Sequence, residues 1–551
     1  MACNKSNRGS SSSQSEHLQH GQACFNCRRR KMRCDGSRPI CGQCSRANRP
    51  DDCEYTDGQR RARAQILQES INRVESRIYE LEHPHQAKPE VLLRQPYKPS
   101  SEGGFIREIT PQPSRPQESW AMAEEPPINL VEKLIDTFLP YSSEFGFFLN
   151  ATRLRQSALM PYPMGHHPRP SPALLTTIYL WGLRLSNLPH LMSQEPVFLS
   201  RALKLTAQAL SGIHPQKVMH TLQAEVLLSY FFFASGRFLE GKYHTAAAIS
   251  LGLSSGLNLI RSAYASSHGP LPPPRDAVEE GERIHACWIG LILDKSWSVA
   301  LGEDPNMEHR DDNECVLDTP WPLEMEDYEK GRLSPTACYS HTFQKFITGS
   351  PTSDVGMSTI AMLAKGTLLW QRADALMRSW KPYMSRDQTS AFLSAFSALD
   401  KLIDNLRAAL IPPHRISHPT PAMTRTLVVA HSIAHAAMIQ LHAVPAQRGD
   451  AAAKHNRLLA ARAVLDIVAA IPLQHFAYIN PIMGTVWLAA CQTVVDEMRT
   501  LKALRTTWPG EEEAGLTALL SRAMTAITTF SATCPLLKYQ ISVIQQALIS
   551  I

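Results

Sequence analysis

Six cysteines between residues 24 and 53 constrain this 551-residue chain more than anything else in it. They stand at Cys24, Cys27, Cys34, Cys41, Cys44 and Cys53, a C-x2-C-x6-C-x6-C-x2-C-x8-C pattern built of two half-motifs. Thiolates are soft donors that suit zinc, and a C-x2-C pair lets two sulfurs reach one ion. Six thiolates are too many for one tetrahedral zinc. Two separate sites would need eight donors, and no histidine lies between Cys24 and Cys53. Two zinc ions sharing two bridging sulfurs use all six donors and fill all eight positions. The plainer alternative is a disulfide-rich or single-zinc knob. Disulfides need an oxidising compartment, and residues 1–22 are polar, rich in Ser, Gln and His, with no apolar signal segment.

Charge points the same way. The formal net charge is +6, and residues 24–63 hold 11 Lys and Arg against 5 Asp and Glu, which is that whole surplus. A basic block so confined is the footprint of a polyanionic partner. Part of it also balances the cluster, since two zincs with six thiolates carry about −2 by formal counting.

Arg28, Arg29, Arg30, Lys31, Met32 and Arg33 fill the spacer between the second and third cysteines, and Asp35-Gly36 and Pro39 follow. With the six cysteines, these residues resemble the fungal Zn2Cys6 (binuclear zinc cluster) DNA-binding module at every ligand position. The resemblance implies two zinc ions (Zn2+) held by Cys24, Cys27, Cys34, Cys41, Cys44 and Cys53. It also implies double-stranded DNA with CGG-type half-sites as the partner. Lys31 and then Arg30 match the positions that read the triplet, from the end of a short helix. Long cations suit the O6 and N7 acceptors of guanine in the major groove. Arg28, Arg29 and Arg33 are assigned to phosphates, which position without specifying. Short helices are expected after Cys27 and after Cys44.

Along the chain, residues 1–22 carry a serine run and read as disordered. The cluster module spans 23–54 and a basic linker 55–63. Leu67, Ile71, Val74, Ile78 and Leu81 then form an a/d stripe, expected to pair two chains through a short coiled coil over 64–83. A single amphipathic helix lying on the next domain is the alternative. Residues 84–127 hold nine prolines and read as an extended linker. From 128 to 551 the pattern is helical, with stretches near 173–188, 197–212, 217–234, 238–259, 277–301 and 355–411. Residues 303–350 look irregular. The chain is 44% apolar and shows no alternating strand series, so a large all-α regulatory domain is the economical reading. No stretch approaches the ~20 apolar residues of a membrane helix.

Within this region Tyr230, Gly236-Arg237, Gly241, Ala246 to Ile249, Gly256-Leu257-Asn258, Glu282-Arg283, Trp288, Leu293-Asp294-Lys295 and Gly302 resemble the middle homology region of the same fungal family. Ser255, Cys287 and the acidic Gly302-Glu303-Asp304-Pro305 depart from its pattern.

Three other motifs read as structure. Gly236 to Lys242 fits G-x4-G-K, but Tyr243 stands where a phosphate loop needs Ser or Thr. A helix–turn–helix junction explains both glycines. His431, His435 and His442 share a helix without a zincin glutamate, and read as core or surface residues. Glu303 to Asp327, with Trp321 and Tyr328 nearby, could form an acidic activation segment; a structured loop is the preferred reading.

The function expected is a nuclear, sequence-specific transcription regulator of the RNA polymerase II type, controlling a metabolic or biosynthetic gene set. It would act as a homodimer with the transcription machinery or co-regulators as partners. No catalytic constellation or cofactor loop stands out, so no enzyme activity and no membrane association are expected. The alternative is a ligand-sensing receptor or enzyme-like helical domain with the zinc module as an adjunct.

Overall fold

A computed structural model describes residues 23–48, 52–53, 55 and 123–549, apart from 263–270, 308–316, 335–338, 340, 351, 353, 413–414, 416–418, 472–475, 505–509 and 532–533. The chain divides into two compact units, Met1–Thr110 and Pro111–Ile551. The expectations for 1–22, the 64–83 stripe and the proline-rich linker up to residue 122 lie outside the described residues.

In the first unit the only buried side chains described are the six cysteines, with Ala23 and Tyr55 packed beside them. Two five-residue helices, α1 (Phe25–Arg29) and α2 (Gly42–Arg46), repeat one design. Helices this short do not persist alone. Each is capped by sulfur: Cys24 Sγ accepts the Cys27 N–H and Cys41 Sγ accepts the Cys44 N–H, both at 3.4 Å. Both helices therefore begin after the first cysteine of each pair, not after the second as the spacing suggested. The sulfur that opens each half-motif is also a helix cap, so the helix starts there.

Helices make up the ordered structure of the second unit: α3 (Ile128–Phe138), α4 (Ala151–Ala158), α5 (Pro172–Leu185), α6 (Glu195–Gln208), α7 (Lys217–Ala234), α8 (Phe238–Ser254) and α9 (Ala277–Leu301), then α10 (Thr359–Ser379), α11 (Arg386–Ala409), α12 (Pro421–Leu441), α13 (Ala451–Ala469), α14 (Ile482–Leu504), α15 (Glu511–Ser531) and α16 (Pro535–Ile549). Their starts are written in polar caps. Asn150, Ser171, Asp276, Ser358, Thr420 and Asp450 each accept an N–H from their own first turn, and Ser385 with Gln388 forms a capping box. Among the described residues there is no strand, only an isolated bridge from Ser262 to Tyr339. None of the helices is long and apolar enough to cross a membrane.

Packing runs in sequence order, α5 against α3, α6 and α7, α7 against α8, α8 against α9 and α9 against α10. It continues with α10 against α12, α12 against α13 and α13 against α14, while α14, α15 and α16 close on one another. One apolar core threads the whole unit, with Trp181, Trp288 and Trp487 fully buried. The long helical stretch read over 355–411 is two helices, because residues 380–385, which include Pro382, turn the chain between α10 and α11.

The segment after α9, expected to be irregular over 303–350, holds two short helices, Met325–Glu329 and Thr342–Thr348, and part of its described length is core. Residues 317–321 are all buried, and Trp321 stacks on Trp288 with centroids 4.2 Å apart. Several residues of the middle-region resemblance hold it there. The Asn258 carbonyl accepts the N–H groups of Asp318 and Thr319, Trp288 Nε1 donates to the Pro320 carbonyl at 2.7 Å, and Asp294 accepts the N–H groups of Asn306 and Met307. For 303–307 and 317–327 these bonds are those of a structured loop; residues 308–316 of the candidate segment lie outside the described residues.

Candidate metal centre and nucleic-acid interface

The six sulfurs form two overlapping tetrads. Cys24, Cys27, Cys34 and Cys41 make one, and Cys24, Cys41, Cys44 and Cys53 the other, with the sulfurs of each within 4.8 Å of one another. Cys24 and Cys41 belong to both. Sulfur separations are 3.7 Å for Cys24–Cys41, 3.8 Å for Cys24–Cys44 and 3.6 Å for Cys27–Cys41. Donors about 2.3 Å from a tetrahedral zinc lie about 3.8 Å apart. A disulfide would need about 2.05 Å, and all six cysteines are free. The donor set thus fits two metal ions sharing two sulfurs. These six are the only such group of metal-ligating side chains among the described residues.

Burial and crowding act against the thiolate form of these cysteines. Burial pushes the Cys24 thiol well above its ordinary range and Cys27 up to about 12. Burial acts upward on Cys41 and Cys44 too, but both end lowered, Cys41 through the Cys44 N–H and Cys44 through Cys41 and Asn26. Sulfurs this close resist joint ionisation, and dications are what would let them all be thiolates.

Residues that the spacing did not single out complete the scaffold. Asn26 Nδ2 donates to Cys44 Sγ at 3.4 Å, tying α1 to the second half-motif. Both carboxylate oxygens of Asp35 accept the Gly42 N–H at 3.0 Å. Tyr55 donates to the Ser37 carbonyl at 2.8 Å, and the Arg38 guanidinium lies 4.9 Å from its ring centre. Such outer contacts orient ligands. Asp35 was legible only as a family match, and Asn26 and Tyr55 carry no spacing signal.

The basic spacer hangs off the end of α1. Arg28, Arg29, Arg30, Lys31 and Arg33 are all exposed. Arg28 and Arg29 form the last turn of α1, and Arg30 is its C-cap. Lys31 follows in left-handed backbone at φ +52°, its N–H on the Arg28 carbonyl, and Met32 closes the turn onto the Cys27 carbonyl at 2.9 Å. This is a Schellman ending with lysine where glycine is usual. At the matching place after α2 stands Asn48, φ +51°. Leu67, Ile71, Val74, Ile78 and Leu81 lie outside the described residues.

Other sequence candidates serve the fold. Gly236 (φ +73°) turns α7 into α8, and a Cβ at Gly241 would lie 2.5 Å from the Phe233 ring. Lys242 pairs with Glu303, so G-x4-G-K is a helix–turn–helix junction. His431 bonds the Ile411 carbonyl, His442 meets Asp400 at 3.0 Å, and burial lowers His435 to about 4.

The model of the fungal Zn(2)-Cys(6) binuclear cluster domain matches residues 22–62, and that of the fungal specific transcription factor domain matches residues 126–347. Over 296 residues the chain is 26% identical to the notoamide biosynthesis cluster transcriptional coactivator notQ' of Aspergillus versicolor, covering 51% of this chain and 53% of that protein. Over 36 residues it is 56% identical to the chromatin structure-remodeling complex protein RSC30 of Saccharomyces cerevisiae, covering 6% of this chain and 4% of that one. The chain therefore spans about half the length of the first relative and a small part of the second. No solved structure matches it. With a two-zinc cysteine module ahead of an all-helical region, and both domain models matched in that order, the chain belongs to the fungal Zn2Cys6 transcription-factor family.

Proposed function

We propose that this protein is a nuclear, sequence-specific regulator of transcription that reads CGG-type triplets through its zinc cluster. The observation that carries this reading is the pair of sulfur tetrads sharing Cys24 and Cys41, with five exposed cations at the end of α1. In this arrangement Cys27 and Cys34 complete one zinc site and Cys44 and Cys53 the other. The metal ions supply the rigidity that so small a unit cannot draw from apolar burial. Lys31 and Arg30 meet guanine edges; Arg28, Arg29 and Arg33 meet phosphates. Similarity to a coactivator of a biosynthesis cluster supports control of a biosynthetic gene set. Dimerisation through Leu67, Ile71, Val74, Ile78 and Leu81 would set the spacing of two triplets. No enzyme activity is part of this reading.

The test compares binding of CGG-containing and scrambled duplexes across a salt series. Wild-type protein should prefer CGG, and Lys31→Ala should lose that preference while keeping salt-sensitive binding to both duplexes. Equal binding of the two duplexes by wild type would refute the base-reading assignment.

A further inference from the structure

The turn that leaves α1 carries one large apolar side chain among its cations. Arg28, Arg29, Arg30, Lys31 and Arg33 are exposed, and Met32 stands between the last two, itself 41% exposed. A single exposed apolar residue is ordinary on a protein surface. What singles out Met32 is its place.

The backbone shows why the fold does not bury it. Lys31 is left-handed, and the Met32 N–H is bonded to the Cys27 carbonyl at 2.9 Å. In an ending of this kind the residue that makes this bond usually covers an apolar residue in the last turns of the helix. The residues at those places are Cys27, a member of the first sulfur tetrad, and Asn26, which donates to Cys44 Sγ. The apolar side chains packed on the sulfurs are Ala23 and Tyr55. Cys27 and Cys34 belong to one tetrad, so the turn is pinned on both sides and Met32 is held in step with Lys31.

A surface with this charge faces a polyanion. When the polyanion is duplex DNA read in its major groove, the apolar group that a base pair presents there is the 5-methyl of thymine. A CGG triplet and its complement hold no thymine. We infer that Met32 reads the 5-methyl group of a thymine in a base pair beside the CGG triplet. The inference rests on the base-reading assignment and extends it: Lys31 and Arg30 choose the guanines, and Met32 chooses the neighbouring pair. An unbranched thioether is flexible enough to settle on a single methyl group. It brings no charge, so its contact adds selectivity without adding salt dependence.

Duplexes that carry a CGG triplet, with thymine or deoxyuridine at each flanking position in turn and on either strand, differ by a single methyl group. They are titrated with the full-length, zinc-loaded protein. At one of these positions thymine should bind about threefold tighter than deoxyuridine, the effect expected for burying one methyl group. Met32→Gln, similar in length but polar, should remove the difference, and Met32→Leu should keep it. Both variants should retain their zinc, the preference for CGG over a scrambled duplex, and the wild-type slope of affinity against salt. Equal binding of thymine and deoxyuridine at every flanking position overturns the inference. So does a difference that persists in Met32→Gln, or loss of zinc from that variant, which would assign Met32 to the fold. A wild-type protein without preference for CGG would fail the base-reading assignment, and this inference with it. Preference for CGG without response to the methyl group fails this inference alone.

Discussion

Lys31 holds left-handed backbone at φ +52°, a conformation that costs a residue with a Cβ about 1 kcal/mol or more. Asn48, its counterpart after α2, is a residue that tolerates that region better. The strain at Lys31 therefore places a long cation where the fold alone would prefer glycine, as expected where function sets the residue. Lys31→Gly should raise the stability of the zinc-loaded cluster by roughly 0.5–1 kcal/mol and remove its preference for CGG. Thermal unfolding paired with duplex binding checks both halves. A variant that is less stable and equally selective would show that Lys31 serves the fold. The lysine's identity was legible as a match to a reading position. Its backbone was not, because a C-x2-C-x6-C spacing says nothing of where α1 stops.

At the scale of elements, α9 shows what periodicity conveys and what it leaves out. Its span of 277–301 is read directly from helical patterning that ends in Gly302, which adopts φ +67° as the cap. The partner of that helix is not legible, since residues 317–324 have no period and reach the core through single hydrogen bonds. His285 of α9 makes one of these bonds, donating from Nε2 to the Leu323 carbonyl at 2.7 Å. Burial lowers this imidazole from 6.5 to about 4. Between those values the unfolded chain takes up a proton that the folded chain refuses, so stability is full above pH 6.5 and falls as pH drops toward 4. The contribution reaches up to about 1.4 kcal/mol per pH unit in that window. His285→Gln keeps a donor and removes the titration, so its unfolding free energy should fall less steeply from pH 6.5 to 4.5. Parallel slopes in denaturant titrations of the two proteins would contradict the assignment. The two-helix break after Ser379 was missed for a related reason: a short turn between two amphipathic helices preserves the apolar pattern on both sides.

At the scale of the whole molecule, the matched transcription factor domain ends at 347, but the helical unit does not. Glu144 and Arg425, 2% and 3% exposed, pair at 3.2 Å, and Glu144 also accepts the Asn480 N–H at 2.9 Å. Arg425→Ala would strand a buried carboxylate and should destabilise the unit by roughly 3–5 kcal/mol. Replacing both residues by apolar ones, Glu144→Leu with Arg425→Met, should cost much less, which chemical denaturation of the three proteins resolves. The helical class and the cysteine ligand set were legible in the chain because each follows from composition or spacing. Which sulfurs the two tetrads share was not, because order along a chain carries no distances; the shared pair, Cys24 and Cys41, is the first cysteine of each half-motif. The most direct measurement is the zinc content of the purified protein and its single-cysteine variants by mass spectrometry. Two zinc ions per chain are predicted, with both lost in Cys24→Ala and one retained more readily in Cys53→Ala. One zinc or none in the wild type, or the six thiols paired as disulfides, would contradict the account.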